Sequence, residues 1–334
     1  MRVLFLAGRE IEYSRNDVLL RAFGRIGEVH PVVEHGKGTI LLRSMRVFLR
    51  SIPTLRSGRF DLIFVGFYGH FLVLPVSSIS SKPVLFDAFV STYDTLVDDR
   101  GRLRSGSIGG NLASWLDKSA CSRADGVLID TPEYRRFFVE NFRVPEEKIW
   151  SLPVGCNESI FVPKPGPAAG ATRILFYCNY LPLHGVDVVV KAAWQLRGEP
   201  DLEFRLVGGG QEYRRVRALA EDLGVDNVRF LPPISLVELS NEIADATICL
   251  GGPFGRSQKA GRVIPGKIYQ LLAMEKPVIA GDTEANRGFL EHSQTAIFCA
   301  PGSPEALADS ILQLQSDPGL RRSLARSGRK LFES

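Results

Sequence analysis

Three segments in the second half of the chain hold residue types suited to gripping an anion. Gly208, Gly209 and Gly210 follow an apolar run and precede a helix-like one. Glycines at a strand-to-helix turn let backbone N–H groups approach a phosphate, and the helix N-terminus adds partial positive charge. A tight turn with no ligand is the competing reading, since no GxGxxG pattern is present. A second turn, Asn179 to Asp187, sets His184 and Gly185 at the mouth of the next helix; a lone histidine there also has a structural or solvated reading. The third segment, Phe254 to Gln270, contains Arg256, Lys259, Arg262 and Lys267 and no acidic residue. It leaves a buried strand and enters a helix that Pro265 starts, an arrangement able to hold a diphosphate without metal. A solvated basic loop is the alternative. No DxD pair, HExxH or GxSxG occurs, so no metal site is expected. Charge developing on a departing phosphate then falls to backbone amides, helix ends, lysine and arginine.

The elements that must position these segments follow from the hydropathy pattern. Short apolar runs alternate with longer amphipathic ones, the pattern of parallel β-α units. The first half predicts strands at 3–7, 29–33, 61–66, 84–87, 126–129 and 149–152. Helices are expected over about 16–26, 39–55 and 112–122, and from the Thr131-Pro132 start to about 141. The second half predicts strands at 173–177, 203–207, 228–231, 247–250, 277–280 and 296–299. The stretch Val162 to Ala171, rich in Pro, Gly and Ala, reads as a linker. The expected organisation is an N-terminal Rossmann-like domain (1–162), a linker (163–172) and a C-terminal Rossmann-like domain (173–334). The fold class is α/β, two doubly wound domains facing across a cleft, with ligands at the carboxyl ends of the strands.

The chain of 334 residues has ordinary globular composition, which excludes disordered, collagen-like and disulfide-scaffold classes. Its five scattered cysteines have no ligand-like spacing and predict buried thiols in a reducing compartment. No secretory leader is read in the first residues, and the longest apolar stretch, Leu62 to Val76, is interrupted and too short to span a bilayer. The expected location is cytoplasmic, including a peripheral position at the inner face of the membrane. A net charge of +4 is too small to imply a nucleic-acid partner.

Val207 to Gly210, Glu238 to Ala246, Lys267 to Ile279 and Leu152 to Phe161 together resemble family 4 glycosyltransferases of the GT-B fold, with good resemblance from about residue 125 to 330. The resemblance implies a retaining, metal-independent transferase that moves a sugar from a nucleoside diphosphate sugar to a glycan, lipid-linked or other acceptor. No cofactor beyond that donor is implied. The C-terminal domain would hold the donor and the N-terminal domain the acceptor. The two glutamates of such enzymes fall here at Arg262 and Gln270, and their diphosphate-gripping Arg and Lys at Asn179 and His184. The phosphate-binding charge is therefore expected to have moved to Lys259, Arg262 and Lys267, with Gln270 toward the ribose. The pattern is similar to a branch of the family found among envelope-polysaccharide enzymes. In the first domain, the turns Arg9 to Asn16, Tyr68 to His70 and Asp87 to Ser91 should line the cleft. His70 and Asp87 are the candidates for positioning sugar or acceptor, with Asp87 equally readable as a strand-end cap. Family members usually finish with a helix crossing back to the first domain, and the chain stops at Lys330 to Ser334, where that helix would begin.

Between Glu34 and Asp61 there is no acidic residue, while Lys37, Arg43, Arg46, Arg50, Arg56 and Arg59 are present. Leu41, Met45, Phe48 and Ile52 share one helical face, with the arginines mostly off it. The expectation is a core-packed helix with a solvated basic side, or a surface docking on anionic lipid through 37–59. Competing functions are a catalytically silent GT-B protein binding a nucleotide sugar or a partner enzyme, and a nucleotide-sugar epimerase whose acidic and histidine groups cannot be placed. A Rossmann oxidoreductase is disfavoured by the missing fingerprint.

Overall fold

The alternating pattern folds into two α/β units, Met1–Gly155 and Cys156–Ser334. The structure, a computed structural model, describes residues 1–11, 13–166, 171–199 and 201–334; positions 167–170 of the expected linker lie outside them.

The first unit runs β1 (Arg2–Ala7), α1 (Ser14–Ile26), β2 (Glu28–Val33), α2 (Ile40–Ser57), β3 (Leu62–Val65), α3 (His70–Ile79), β4 (Val84–Asp87), α4 (Ile108–Arg123), β5 (Gly126–Ile129), α5 (Pro132–Phe142) and β6 (Ile149–Ser151). Its six strands pair in parallel in the order β2-β1-β3-β4-β5-β6. The central strands are apolar on both faces because helices cover both, so Phe5, Phe64 and Phe86 are fully buried. Side chains fix the helix starts: Thr39 and Thr131, where helices were expected to begin, and Ser107, where none was, each accept a backbone N–H three residues on.

The second unit restarts the rhythm with β7 (Thr172–Cys178), α6 (Val186–Gln195), β8 (Leu202–Gly208), α7 (Tyr213–Asp222), β9 (Val228–Leu231), α8 (Leu236–Asp245) and β10 (Ile248–Gly252). It continues with α9 (Gln258–Arg262), α10 (Gly266–Ala273), β11 (Val278–Gly281), α11 (Glu284–Arg287), β12 (Ile297–Cys299), α12 (Pro304–Ser316) and α13 (Pro318–Glu333). Its parallel sheet has the order β12-β11-β10-β7-β8-β9. Helix α13 packs on α10, where the Arg329 guanidinium donates to the Ala273 carbonyl.

Four features depart from the sequence reading. Helix α3 forms from the apolar stretch that contains Pro75, and a π-helical turn spans Asp94–Asp99. Helix α4 begins at Ile108, four residues earlier than expected, because Gly109 and Gly110 are helical: a Cβ on Gly110 would press on the Arg104 carbonyl. Helix α2 is rotated from its expected orientation. Its inward face carries Arg43, Ser44, Val47, Ser51 and Leu55, while Leu41 and Met45 of the expected core stripe are exposed. The small Ser44 side chain lies close enough to Gly8 to leave a Cβ there no slack, so this face permits the closer approach to the sheet.

Candidate donor-binding site

Backbone geometry fixes the glycine turn. In the β7–β8 register Cys178 lies opposite Gly208. A Cβ on Gly208 would run into the Cys178 carbonyl and one on Gly210 into that of Asn179, and both glycines have positive φ, +128° and +147°. Two of the three glycines thus have a structural reason independent of any ligand. The turn also walls a cavity of about 450 Å³ together with Gln211, Tyr213, Arg214, Pro232 and Pro233.

The other two segments, seventy residues apart in sequence, are stitched together. Phe254 N–H donates to the His184 carbonyl (3.3 Å) and Gly255 N–H to that of Leu183 (3.0 Å). Gly185, at φ +63°, has the Phe254–Gly255 backbone against it, with no room for a Cβ. The basic loop is itself partly helical: Ser257 caps α9, which carries Lys259 and Arg262, and α10 then opens at Gly266 with Lys267 as its second residue. Arg256 turns away and donates to the Gly302 carbonyl (3.0 Å).

Lys267 is the unusual residue. Only 8% exposed, its ammonium sits 4.5 Å from the centroid of the Phe176 ring, and its Nζ has no hydrogen-bond partner among the described residues. Burial pushes its pKa down to about 8. His184 responds to the same surroundings: burial, then the charges of Lys267 and Lys259, hold it well below the usual histidine value, so it is neutral at pH 7. The structure therefore brings His184, Lys259 and Lys267 into one electrostatic neighbourhood. Buried Gln270 joins it from the next turn of α10, accepting from the Tyr177 hydroxyl (2.8 Å), which also reaches the Lys267 carbonyl (3.4 Å). The end of β7, Tyr177 and Cys178, with Asn179 just after it, links this group to the glycine turn. Among the described residues, no group of three or more His, Cys, Asp or Glu is arranged to hold a metal ion.

In the first unit, the two singled-out residues lie in separate networks. Asp87 is fully buried and receives Arg15 Nε (3.1 Å) and Nη2 (2.9 Å), while Arg15 Nη1 donates to the carbonyls of Leu152 (2.7 Å) and Pro153 (2.9 Å). Burial raises the Asp87 pKa, against the charge and hydrogen bonds of Arg15. His70 opens α3 with its Nε2 3.1 Å from Asp117 Oδ1. Asp117 also accepts from Ser91 Oγ (2.6 Å) and the backbone N–H groups of Thr92 (2.8 Å) and Tyr93 (2.9 Å). Burial alone would raise that carboxyl; the hydrogen bonds outweigh it and hold it below its usual value. His70 lines a cavity of about 400 Å³ with Arg9, Tyr68, Phe71, Leu96 and Arg100. Arg9 lies over the Tyr13 and Tyr68 rings, and Tyr68 takes a left-handed backbone at φ 62°, a conformation that bulky residues rarely adopt.

The family described as Glycosyl transferases group 1 matches residues 159–331, just over half of the chain. The chain belongs to this family. A D-inositol 3-phosphate glycosyltransferase from Thermobispora bispora is 29% identical over 58% of the chain and 49% of its own length. A GDP-mannose-dependent alpha-(1-6)-phosphatidylinositol monomannoside mannosyltransferase from Mycobacterium tuberculosis is 26% identical over 56% of the chain and 51% of its own. The chain thus spans about half the length of the curated relatives it matches. Among solved structures, sucrose-phosphate synthase from Thermosynechococcus elongatus superposes with a TM-score of 0.77 at 17% identity, over 99% of this chain and 94% of that one. HepE from Anabaena in complex with UDP and glucose gives 0.73 at 13%, over 99% and 94%. These likenesses bear out the expected GT-B fold class of two doubly wound domains.

For this group 1 glycosyltransferase chain, sequence reasoning named Lys267 but not its burial against Phe176 of β7, which shifts it. It missed Asp117 and Arg15. A signal existed for Asp117: it is the lone acid between Asp99 and Asp125, in a stretch with Arg100, Arg102, Arg104, Lys118 and Arg123.

Proposed function

We propose that the chain is a retaining, family 4-like glycosyltransferase that takes a sugar from a nucleoside diphosphate sugar and passes it to a saccharide or lipid-linked acceptor, with no metal required. The observation that carries this reading is the buried, unpartnered Lys267 ammonium at the start of α10, beside His184 and Lys259. A buried cation without a partner is strongly disfavoured, and a diphosphate supplies the missing charge. In the reaction, the bond from the anomeric carbon to the diphosphate oxygen breaks, and Lys267 with the α10 amides meets the charge left on that oxygen. The acceptor hydroxyl forms the new bond from the same face, and its proton passes to the departing phosphate. His184 is neutral and so adds no charge against the neighbouring lysines, and Gln270, fixed by Tyr177, stands where a carboxylate is usual in family 4. The names of the Thermobispora and Mycobacterium relatives, a D-inositol 3-phosphate glycosyltransferase and a phosphatidylinositol monomannoside mannosyltransferase, support a phosphorylated or lipid-linked acceptor. HepE, with UDP, supports a nucleoside diphosphate donor. The reading extends to a cytoplasmic protein of envelope polysaccharide synthesis, in peripheral contact with an anionic membrane through 37–59.

A catalytically silent nucleotide-sugar binder is the second reading, favoured by one observation: Gln270 and Arg262 leave this loop without the two carboxylates, and the Gln270 oxygen is already engaged by Tyr177. One experiment separates the two. A thermal-shift screen against UDP, GDP, ADP, CMP and dTDP and their sugars is followed by nucleotide-release assays on whichever donor binds. Saturation at about 100 times Kd stabilises by about 2.7 kcal/mol. No shift with any nucleotide overturns the donor reading, and a shift without hydrolysis or transfer to any acceptor supports the silent one.

A further inference from the structure

The basic run 37–59 is less available than its sequence suggests. Arg43 donates to Glu10 (2.7 Å) and to the Glu34 carbonyl (2.6 Å), Arg50 to the Glu34 carboxylate (2.9 Å) and Arg46 to the Lys37 carbonyl (3.2 Å). The apolar material on its outer side is nonetheless exposed, including Leu42, Met45 and Leu49. Helix α3 packs against α2 on one side and α4 on the other, so all three belong to one layer. On α4 the solvent face is a stripe of Ile108 (90% exposed), Leu112 (61%) and Trp115 (55%), spaced four and three apart and therefore aligned. The inward face takes Ala113, Leu116, Asp117 and Ala120.

Along α4 and the loop before it, the exposed charge has one sign, the nearest exposed acid being Asp125 beyond the helix end. Arg102, Arg104, Lys118 and Arg123 are exposed, and the only acid between Asp99 and Asp125, Asp117, is turned inward onto His70 and Ser91. We infer that α4, in the same layer as the 37–59 run, is the principal element by which the first unit seats on an anionic lipid bilayer, with Ile108, Leu112 and Trp115 entering the interfacial region and the flanking cations meeting lipid phosphates. An indole with an apolar body and a polar edge suits that depth, and each basic residue near an anionic leaflet adds attraction. A second copy of the chain fits less well, because a two-fold contact would set this basic rim against itself. The cavity walled by His70, Phe71, Leu96 and Arg100 opens at the start of α3 and just before α4, next to this layer. A lipid-borne acceptor would present its head there while its chain stays in the bilayer.

This deepens the membrane contact of the proposed function, and its test uses neither donor nor transfer, so failure here leaves the donor reading standing. The purified chain is sedimented with phosphatidylcholine vesicles and with vesicles containing about 30 mol% phosphatidylglycerol, beside a variant carrying Ile108→Ser, Leu112→Ser and Trp115→Ser. The expected result is binding to the anionic vesicles that falls at least about tenfold in the variant, at unchanged Tm, since the three side chains are exposed. In a second measurement, Trp115→Phe keeps an apolar stripe but abolishes the vesicle-induced blue shift of tryptophan fluorescence. Equal vesicle binding by wild type and the triple variant, no binding by wild type, or a blue shift that survives Trp115→Phe overturns the inference. So does a concentration-dependent dimer in sedimentation equilibrium that the triple variant abolishes.

Discussion

Replacing Lys267 by Met should stabilise the ligand-free protein and weaken its grip on nucleoside diphosphates. The methionine keeps an unbranched chain against Phe176 and removes the buried ammonium. A lysine whose folded pKa is about 8, below the ordinary 10.5, binds fewer protons in the folded state than in the unfolded one between those values. Stability therefore rises with pH across that window, and the full penalty for burying the charge is present below pH 8. The shift is worth roughly 3 kcal/mol at pH 7 and roughly 1 kcal/mol at pH 9.5. For a unit of this size each kcal/mol moves Tm by about 2–4 °C, so Lys267→Met should melt roughly 6–12 °C higher at pH 7, with the gap closing toward pH 10. Donor affinity moves the other way. A diphosphate on the ammonium restores its preference for the charged form, so wild-type affinity for UDP should fall by up to about tenfold per pH unit above pH 8. Lys267→Met should bind weakly and without that slope. Calorimetry of UDP binding between pH 7 and 10, with melting curves at the same pH values, reads both effects. A variant that melts lower than wild type at pH 7 and binds UDP with unchanged affinity would refute the reasoning.

Lys259→Ala combined with Arg262→Ala should reduce donor affinity by about 10- to 100-fold, the scale of charge-assisted hydrogen bonds; an unchanged dissociation constant would remove α9 from the donor site. Asp87→Ala strands the Arg15 guanidinium in the interior and should lose about 3–5 kcal/mol of stability in denaturant titrations. If kcat/KM measured well below its melting point then drops less than about tenfold, Asp87 acts through folding and not chemistry. The Asp117 carboxyl is held below its ordinary value, so its contribution to stability is present above about pH 4 and lost as pH falls through its folded pKa. Asp117→Asn should flatten that acid limb of the Tm profile, and an unaltered limb would show that another carboxyl controls it. Gly210→Ala puts a Cβ onto the Asn179 carbonyl at φ +147°, so it should destabilise the glycine turn; wild-type Tm would contradict that packing.

Local signals sufficed for much of the architecture. Apolar runs bounded by turn residues determined the twelve strands among the described residues, and Thr131-Pro132 and Thr39 determined where two helices begin, because caps and strand burial depend on neighbours within a few positions; the Ser107 cap of α4 was not among the starts read. Sequence also placed lysine and arginine, Arg262 among them, and Gln270 in the segment after β10. Which face of a helix turns inward was a different matter. Hydropathy assigned Leu41 and Met45 of α2 to the core, but the closer approach available to Ser44 over Gly8 turned them outward. Tertiary structure likewise decided the charge states that matter. Lys267 and His184 acquire shifted protonation only because strands and loops distant in sequence exclude water from them, and Asp87 acquires Arg15 from seventy-two positions away. Desolvation and long-range pairing are properties of a folded interior, where each group's energy is set by neighbours that no local window of the sequence contains.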